Sequence, residues 1–111
     1  MFNVTENRTF THVVKVKTPV DGGYETETLK ATFNLISVEE AEAFDLRVRD
    51  GTTAFLLRVV NKLDDLADAK KQPVTYSDKV RDFLFGQPHV RQALATGYFE
   101  AVANEGPKKG N

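Results

Sequence analysis

Three aspartates and two histidines are the residues whose types and spacing could support chemistry. Asp64, Asp65 and Asp68 would place two carboxylates on one face of a helix, as magnesium–diphosphate sites require. Enzymes with that pattern enclose a large apolar cavity in a helical domain much bigger than this chain, so we interpret the three aspartates as a solvated acidic helix end. Histidine is the most common general base, but neither His12 nor His89 has a nucleophile or metal ligand near it in the sequence. We therefore interpret both histidines as structural.

The glycine and lysine motifs favour neither a phosphate site nor a nucleic-acid site. Asp21-Gly22-Gly23 joins two predicted strands rather than a strand and a helix, so it is interpreted as a turn. Lys70-Lys71 and Lys108-Lys109 are sparse, and no array of aromatic and basic residues accompanies them. The net charge of −1 creates no overall field that would attract nucleic acid or an anionic membrane. We expect no nucleic-acid partner, no membrane partner, no cofactor and no metal.

Length and composition indicate one small globular domain. The chain has 111 residues, of which 41% are apolar and 28% are charged. It contains no cysteine, which excludes disulfides, thiolate catalysis and iron–sulfur clusters. No apolar stretch approaches the ~20 residues of a membrane span, and the first ten residues lack the apolar region of a signal peptide. We expect a cytoplasmic protein.

The N-terminal third predicts a β-hairpin with one buried side. Residues Thr9–Lys17 and Tyr24–Leu35 alternate between apolar and polar side chains, and Thr18–Gly23 between them carries a proline and two glycines. The residues expected to face inward are Phe10, Val14, Val16, Leu29, Ala31, Phe33 and Leu35. A hairpin alone is marginally stable in water, so its apolar face needs a cover.

Capping signals predict about four helices after the hairpin. Ser37 would cap a helix over Val38–Val48, with Glu40 completing a capping box, and Thr52 or Thr53 would cap a second helix that continues towards Leu66. Ser77 and Gly86 would bound a third helix, and Pro88 suits the first turn of a fourth. The expected inner residues are Phe55, Leu56, Val59, Val60, Leu63 and Leu66 in the second helix, Val80, Phe83 and Leu84 in the third, and Val90, Leu94, Tyr98 and Val102 in the fourth.

These elements predict an α+β fold in which an N-terminal β-hairpin is followed by about four α-helices packed as one small domain. The domain would span residues 9–103, after an N-terminal extension over residues 1–8. Residues 104–111 contain glycine, proline and lysine without large apolar side chains, which predicts a flexible tail.

A surplus of apolar residues favours a protein-binding function. Several phenylalanines lie beside the inner stripes, and a two-stranded sheet leaves both edges open to another chain. The residues predicted to bind a partner are Phe55, Val59, Leu63, Phe85 and Phe99. Ordinary core packing explains the phenylalanines equally well.

The order of these landmarks resembles the tail assembly chaperones of long-tailed bacteriophages and prophages, over Phe10 to Ala103. The landmarks are the turn at residues 19–23, Ala31-Thr32-Phe33, Glu39-Glu40, residues 55–60, Asp64-Asp65-Leu66, residues 73–77, residues 88–94 and residues 97–101. The chain departs from the family at Leu63, where relatives often carry a tryptophan.

The resemblance implies a non-enzymatic chaperone. Family members coat the long helical tape-measure protein, assist the polymerisation of tail-tube subunits around it, and are absent from the finished particle. The implied partners are the tape-measure protein and the tail-tube protein, with self-association as a homo-oligomer as a further expectation. The implied location is the cytoplasm of the bacterial host, and not the mature virion.

Three alternatives stay open at this point. The first is a small phage structural protein, such as a tail-completion or head–tail joining factor, which would remain in the virion. The second is a small regulator that binds nucleic acid, against which the near-neutral charge counts. The third, an enzyme, is the least favoured because no nucleophile–base pair is recognisable.

Overall fold

A long antiparallel hairpin forms the first part of the protein, in a computed structural model that describes residues 1–103. Strand β1 (Thr9–Val20) pairs with β2 (Gly23–Asn34), and Val20 lies opposite Gly23 across a two-residue loop. Gly22 in this loop has a φ of 78°, which glycine adopts without steric cost. The strands are therefore longer, and the turn tighter, than the sequence predicts.

One face of the hairpin is buried in the predicted register. Val14 and Val16 of β1 and Leu29, Ala31 and Phe33 of β2 are all buried. Phe10 is half-buried and packs against this core, whereas Leu35 is exposed because β2 ends one residue before it.

A third strand replaces the end of the predicted second helix. Helix α2 (Arg49–Val59) stops early, and β3 (Val60–Asp64) pairs antiparallel with β2, with Lys30 opposite Asp64 and Phe33 opposite Val60. The prediction of a helix continuing towards Leu66 is therefore wrong. Pairing with β2 places Leu63 in the core opposite Ala31, and this tertiary contact overrides the helical spacing of the apolar residues.

The acidic segment after β3 belongs to a small second sheet and not to a helix end. Strand β4 (Leu66–Ala67) pairs antiparallel with β5 (Pro73–Val74). The Asp68 carboxylate accepts the N–H groups of Lys70 (2.8 Å) and Gln72 (3.0 Å), so it closes the loop between these strands.

Helix α1 (Val38–Glu42) is shorter than predicted but begins where predicted. The Ser37 hydroxyl accepts the N–H of Glu40 at 3.1 Å. The Glu40 carboxylate binds Arg58 of α2 instead of completing a capping box. Helix α2 begins at Arg49, before both threonines that were predicted to cap it, and its N-cap residue makes no side-chain capping bond.

The last two helices begin where predicted, and α3 also ends where predicted. In α3 (Asp78–Phe85), the Ser77 hydroxyl accepts the N–H of Val80 at 3.2 Å, and Gly86 is the C-cap. Helix α4 runs over Pro88–Ala103. The predicted inner face of α3 is wrong at Phe83, which is 65% exposed, whereas Phe85 is 4% exposed. Leu84 packs against the core and Val80 is half-buried, as predicted. The position of α4, against which α3 packs, decides which of the two phenylalanine rings is covered.

The helices cover one face of the three-stranded sheet. Helix α4 packs on β1 so closely that a Cβ atom on Gly97 would lie 3.2 Å from Cγ2 of Val14, and α2 packs beside α4. The mixed α and β content is as predicted, with four helices within residues 1–103, but β3, β4 and β5 interrupt the predicted order of a hairpin followed by helices alone. The buried core comprises Val14, Val16, Leu29, Ala31, Phe33, Phe55, Leu56, Val59, Val60, Leu63, Phe85, Val90, Leu94 and Tyr98.

Candidate functional site

Four of the five residues predicted to bind a partner are in the core. Phe55 and Val59 lie on the inner face of α2, and Leu63 lies on the inner face of β3 opposite Ala31. Phe85 is also buried. These four side chains cannot form a docking surface in this conformation, because sheet and helices cover them. Phe99 of α4 is 38% exposed and is the member of the set that a partner can reach.

The exposed ring of Phe99 is held by the core. It stacks on Phe55 with 5.2 Å between ring centroids and 6° between ring planes. Phe55 in turn makes edge contacts with Phe44 at 5.7 Å and with Tyr98 at 5.4 Å. A row of rings therefore connects the centre of the core to the surface of α4 and fixes the position of Phe99.

A shallow open groove lies beside this surface. It has a volume of about 510 Å³ and lies between the segment that precedes α2 and the exposed face of α4. Leu46 contributes from the first wall, and Gln92, Ala95 and Thr96 contribute from α4. Phe99 and Val102 continue that face of α4 at helical spacing. The prediction that Val102 faces inward is therefore wrong, since it is 38% exposed. We name Leu46, Ala95, Phe99 and Val102 the α4 strip.

Arg91 holds the walls of the groove together. Its Nη1 donates to the carbonyl of Phe85 and to the hydroxyl of Thr53, both at 2.8 Å, and its Nη2 donates to the carbonyl of Arg49 at 2.8 Å. One guanidinium thus joins the C-terminal end of α3 and the first turns of α2 to α4. The sequence carries no local signal for this role, because the tertiary fold brings these acceptors together.

The first wall of the groove is a tight loop over residues 43–48. The Thr52 hydroxyl donates to the carbonyl of Leu46 at 3.1 Å. The Asp45 carboxylate accepts the backbone N–H and Nε of Arg47, each at 3.0 Å, and these bonds hold the pKa of Asp45 below its ordinary value. The loop therefore presents Leu46 in one position beside α4.

The residues considered for chemistry lie apart from this groove. His12 is half-buried on the helix side of β1, with Cδ2 3.9 Å from where a Cβ of Gly97 would lie, and His89 is half-buried in the first turn of α4. Asp64 is in β3, and Asp68 closes the β4–β5 loop. Over residues 1–103, no three His, Asp or Glu side chains are grouped so that they could hold a metal ion.

Comparison with known proteins finds no family model, no curated protein and no solved structure that matches the chain. Within residues 1–103, no helix combines the length and the apolar character needed to cross a membrane.

Proposed function

We propose that the protein is a non-enzymatic chaperone of bacteriophage tail assembly, which binds the tape-measure protein and assists the assembly of tail-tube subunits around it. The sequence resemblance over Phe10 to Ala103 supports the family. The α4 strip supports the mode of action, and the observation that carries it is Phe99, an exposed ring held in place by the buried ring of Phe55.

The α4 strip suits the chemistry of a long helical partner. Such a partner exposes apolar side chains at helical spacing, and these aggregate unless they are covered. An amphipathic helix lying along the groove would place its apolar side chains against Leu46, Ala95 and Phe99. Each contact of this size is weak. Many copies bound along one partner would together give a stable coat.

The proposal includes where the protein acts and at which stage of assembly it leaves. The protein acts in the cytoplasm of the bacterial host, associates with further copies of itself on the tape-measure protein, and leaves before the particle is complete. A tail-completion or head–tail joining factor, by contrast, would remain in the finished virion.

The test is an affinity pull-down of the tagged protein from cells that produce the corresponding phage, with partners identified by mass spectrometry. We expect recovery of a very long helical protein together with tail-tube subunits. Phe99→Glu should abolish that recovery. Phe83→Glu is the matched control, because Phe83 is more exposed and lies on α3 outside the groove lining.

Two results would overturn the proposal. One is equal recovery of the long helical protein by the Phe99→Glu and Phe83→Glu variants. The other is the presence of the protein in purified mature particles, which would favour a joining factor.

A further inference from the structure

Strand β1 has an open edge. The sheet order is β1–β2–β3, and no strand in the part of the chain that the structure describes pairs with the other side of β1. In a hairpin with a two-residue loop the closing pair, here Val20 and Gly23, exchanges backbone hydrogen bonds, and bonded pairs then alternate along the ladder. The even-numbered residues of β1 therefore direct their backbone groups to β2, and the odd-numbered residues direct theirs outward.

The position of β3 is consistent with this assignment. Lys30 and Thr32 lie opposite Val13 and Thr11, which are odd-numbered residues, so their own backbone groups should point away from β1 and towards β3, which pairs with the other side of β2. The open edge thus offers the N–H and C=O groups of Thr9, Thr11, Val13, Lys15 and Lys17 over about 27 Å. Pro19 ends this series because it has no N–H.

Side chains of the same odd-numbered residues lie on the face of the sheet opposite the helices. Thr9, Thr11, Lys15 and Lys17 are exposed, and Val13 is 52% exposed. We name this surface the outer face. It is separate from the groove, because α4 packs on the other face of β1, at Val14 and His12.

The outer face is positively charged although the whole chain has a net charge of −1. Its strand residues include Lys15, Lys17, Lys30 and Lys62, against the single carboxylate of Asp64. Oδ2 of Asp64 lies 3.5 Å from Nζ of Lys62, and Asp64 is opposite Lys30 in the register. Its carboxylate therefore forms an ion pair at the β3 side of the sheet. Glu25 and Glu27 of β2 are odd-numbered, like the buried Leu29, so they lie on the opposite face of the sheet from the outer face. Lys15 and Lys17 are therefore left beside the open edge without a carboxylate neighbour among the strand residues of the outer face.

We propose that the open edge of β1 binds an extended acidic polypeptide segment, which adds as a fourth strand along Thr9–Lys17 and places carboxylates opposite Lys15 and Lys17. An unpaired strand edge recognises an extended backbone, which favours a polypeptide over a nucleic acid. Cross-strand pairs of opposite charge stabilise the added strand, and lysines on an edge disfavour indiscriminate pairing with apolar or basic strands. This surface and the α4 strip act independently, so either proposal can fail without the other.

The probe is a synthetic peptide of about nine residues that alternates glutamate and threonine, titrated into the full chain and followed by amide NMR shifts. We expect salt-sensitive binding with the largest shifts, and new protection from hydrogen exchange, at the odd-numbered amides of β1. The even-numbered amides, already bonded to β2, should change much less. A peptide with lysine in place of glutamate should not bind.

A double variant with Lys15→Glu and Lys17→Glu should weaken peptide binding about tenfold, since two favourable charge pairs become repulsive. Lys62→Glu is the control on the same face at β3 and should stay within about twofold. The proposal is overturned if the double variant binds as the unmodified chain does, or if the shifts lie elsewhere. It is also overturned if a single-stranded DNA of equal charge binds more tightly, or if a second copy of the chain already occupies the β1 edge before peptide is added.

Discussion

Gly51 lies so close to Asp45 that a Cβ atom on Gly51 would be 1.9 Å from the Asp45 carbonyl oxygen. The neighbouring atom belongs to the backbone and not to a flexible side chain, so it cannot simply move away. The lack of a side chain at Gly51 lets the backbone of the loop over residues 43–48 approach the first turn of α2 this closely, and Leu46 of the same loop lines the groove. Position 51 of α2 therefore requires glycine.

Gly51→Ala should destabilise the protein by about 1–3 kcal/mol, even though alanine is the better helix former. The added methyl group must displace either α2 or the loop before it. Urea denaturation would measure the loss, and Gly23→Ala is the control because nothing lies within 4 Å of its Cβ position. An equal effect of the two substitutions would contradict the close approach.

Arg91→Ala should destabilise the protein by about 2–3 kcal/mol, because three acceptors at the groove wall lose a charged donor. Arg91→Lys should restore less than half of that loss, since an ammonium cannot reproduce the fork that reaches Phe85, Thr53 and Arg49 together. Thermal unfolding of both variants checks this. Arg47→Ala, at an exposed ion pair, should cost much less. Full rescue by lysine would show that charge alone is sufficient.

Phe33→Asp and Leu29→Asp should each prevent cooperative folding, because both side chains point into the core from β2. The Phe33 ring has centroid distances of 5.5 Å to both Phe10 and Tyr98. Thr32→Asp, on the outer face opposite Lys62, is the matched control and should fold. Circular dichroism during heating would separate these outcomes. Soluble and cooperatively unfolding versions of both inward variants would disprove the strand register.

The Asp45 carboxylate, in the loop before α2, should add to the free energy of unfolding at neutral pH but not in acid. The hydrogen bond from the Arg47 side chain is the main cause that lowers the pKa of Asp45 below its ordinary value, and the hydrogen bond from the Arg47 backbone N–H is the second cause. A lowered folded-state pKa stabilises the protein above the ordinary pKa, and this contribution is lost as the pH falls through the lowered value. The stability difference between the unmodified chain and Arg47→Ala should therefore disappear in acid. A difference that persists at low pH would exclude this origin.

Local signals in the sequence sufficed for the hairpin and for several helix ends. Alternation placed Leu29, Ala31 and Phe33 inward, and the capping roles of Ser37 and Ser77 follow from hydroxyl groups that bind nearby N–H groups. β3 could not be predicted in this way. Val59, Val60 and Leu63 have helical spacing, and the pairing with β2 that replaces the helix is a tertiary contact that no local pattern records.

The candidate site was harder to predict than the fold, because an apolar residue at helical spacing looks the same whether it is covered or exposed. Phe83 and Phe85 are two residues apart in one short helix, yet only Phe85 is buried. Phe99 was identified because it lies beside the inner stripe of α4. The groove and the Arg91 contacts depend on three elements meeting, which no local pattern records. Residues 104–111, predicted to form a flexible tail, lie outside the residues that the structure describes.

The position of β3 has a consequence for the order of folding. The β1–β2 ladder grows from a two-residue turn, so its contacts are local and should form early. The chain then passes through α1 and α2 before Asp64 meets Lys30. Because α1 and α2 separate β3 from β2 in the sequence, closing this loop costs more chain entropy than closing the hairpin, and we expect the transition state to contain the hairpin while β3 is still detached. Until β3 pairs with β2, both edges of the hairpin are open to strands of other chains, and we expect misassembly during synthesis to be concentrated in that interval.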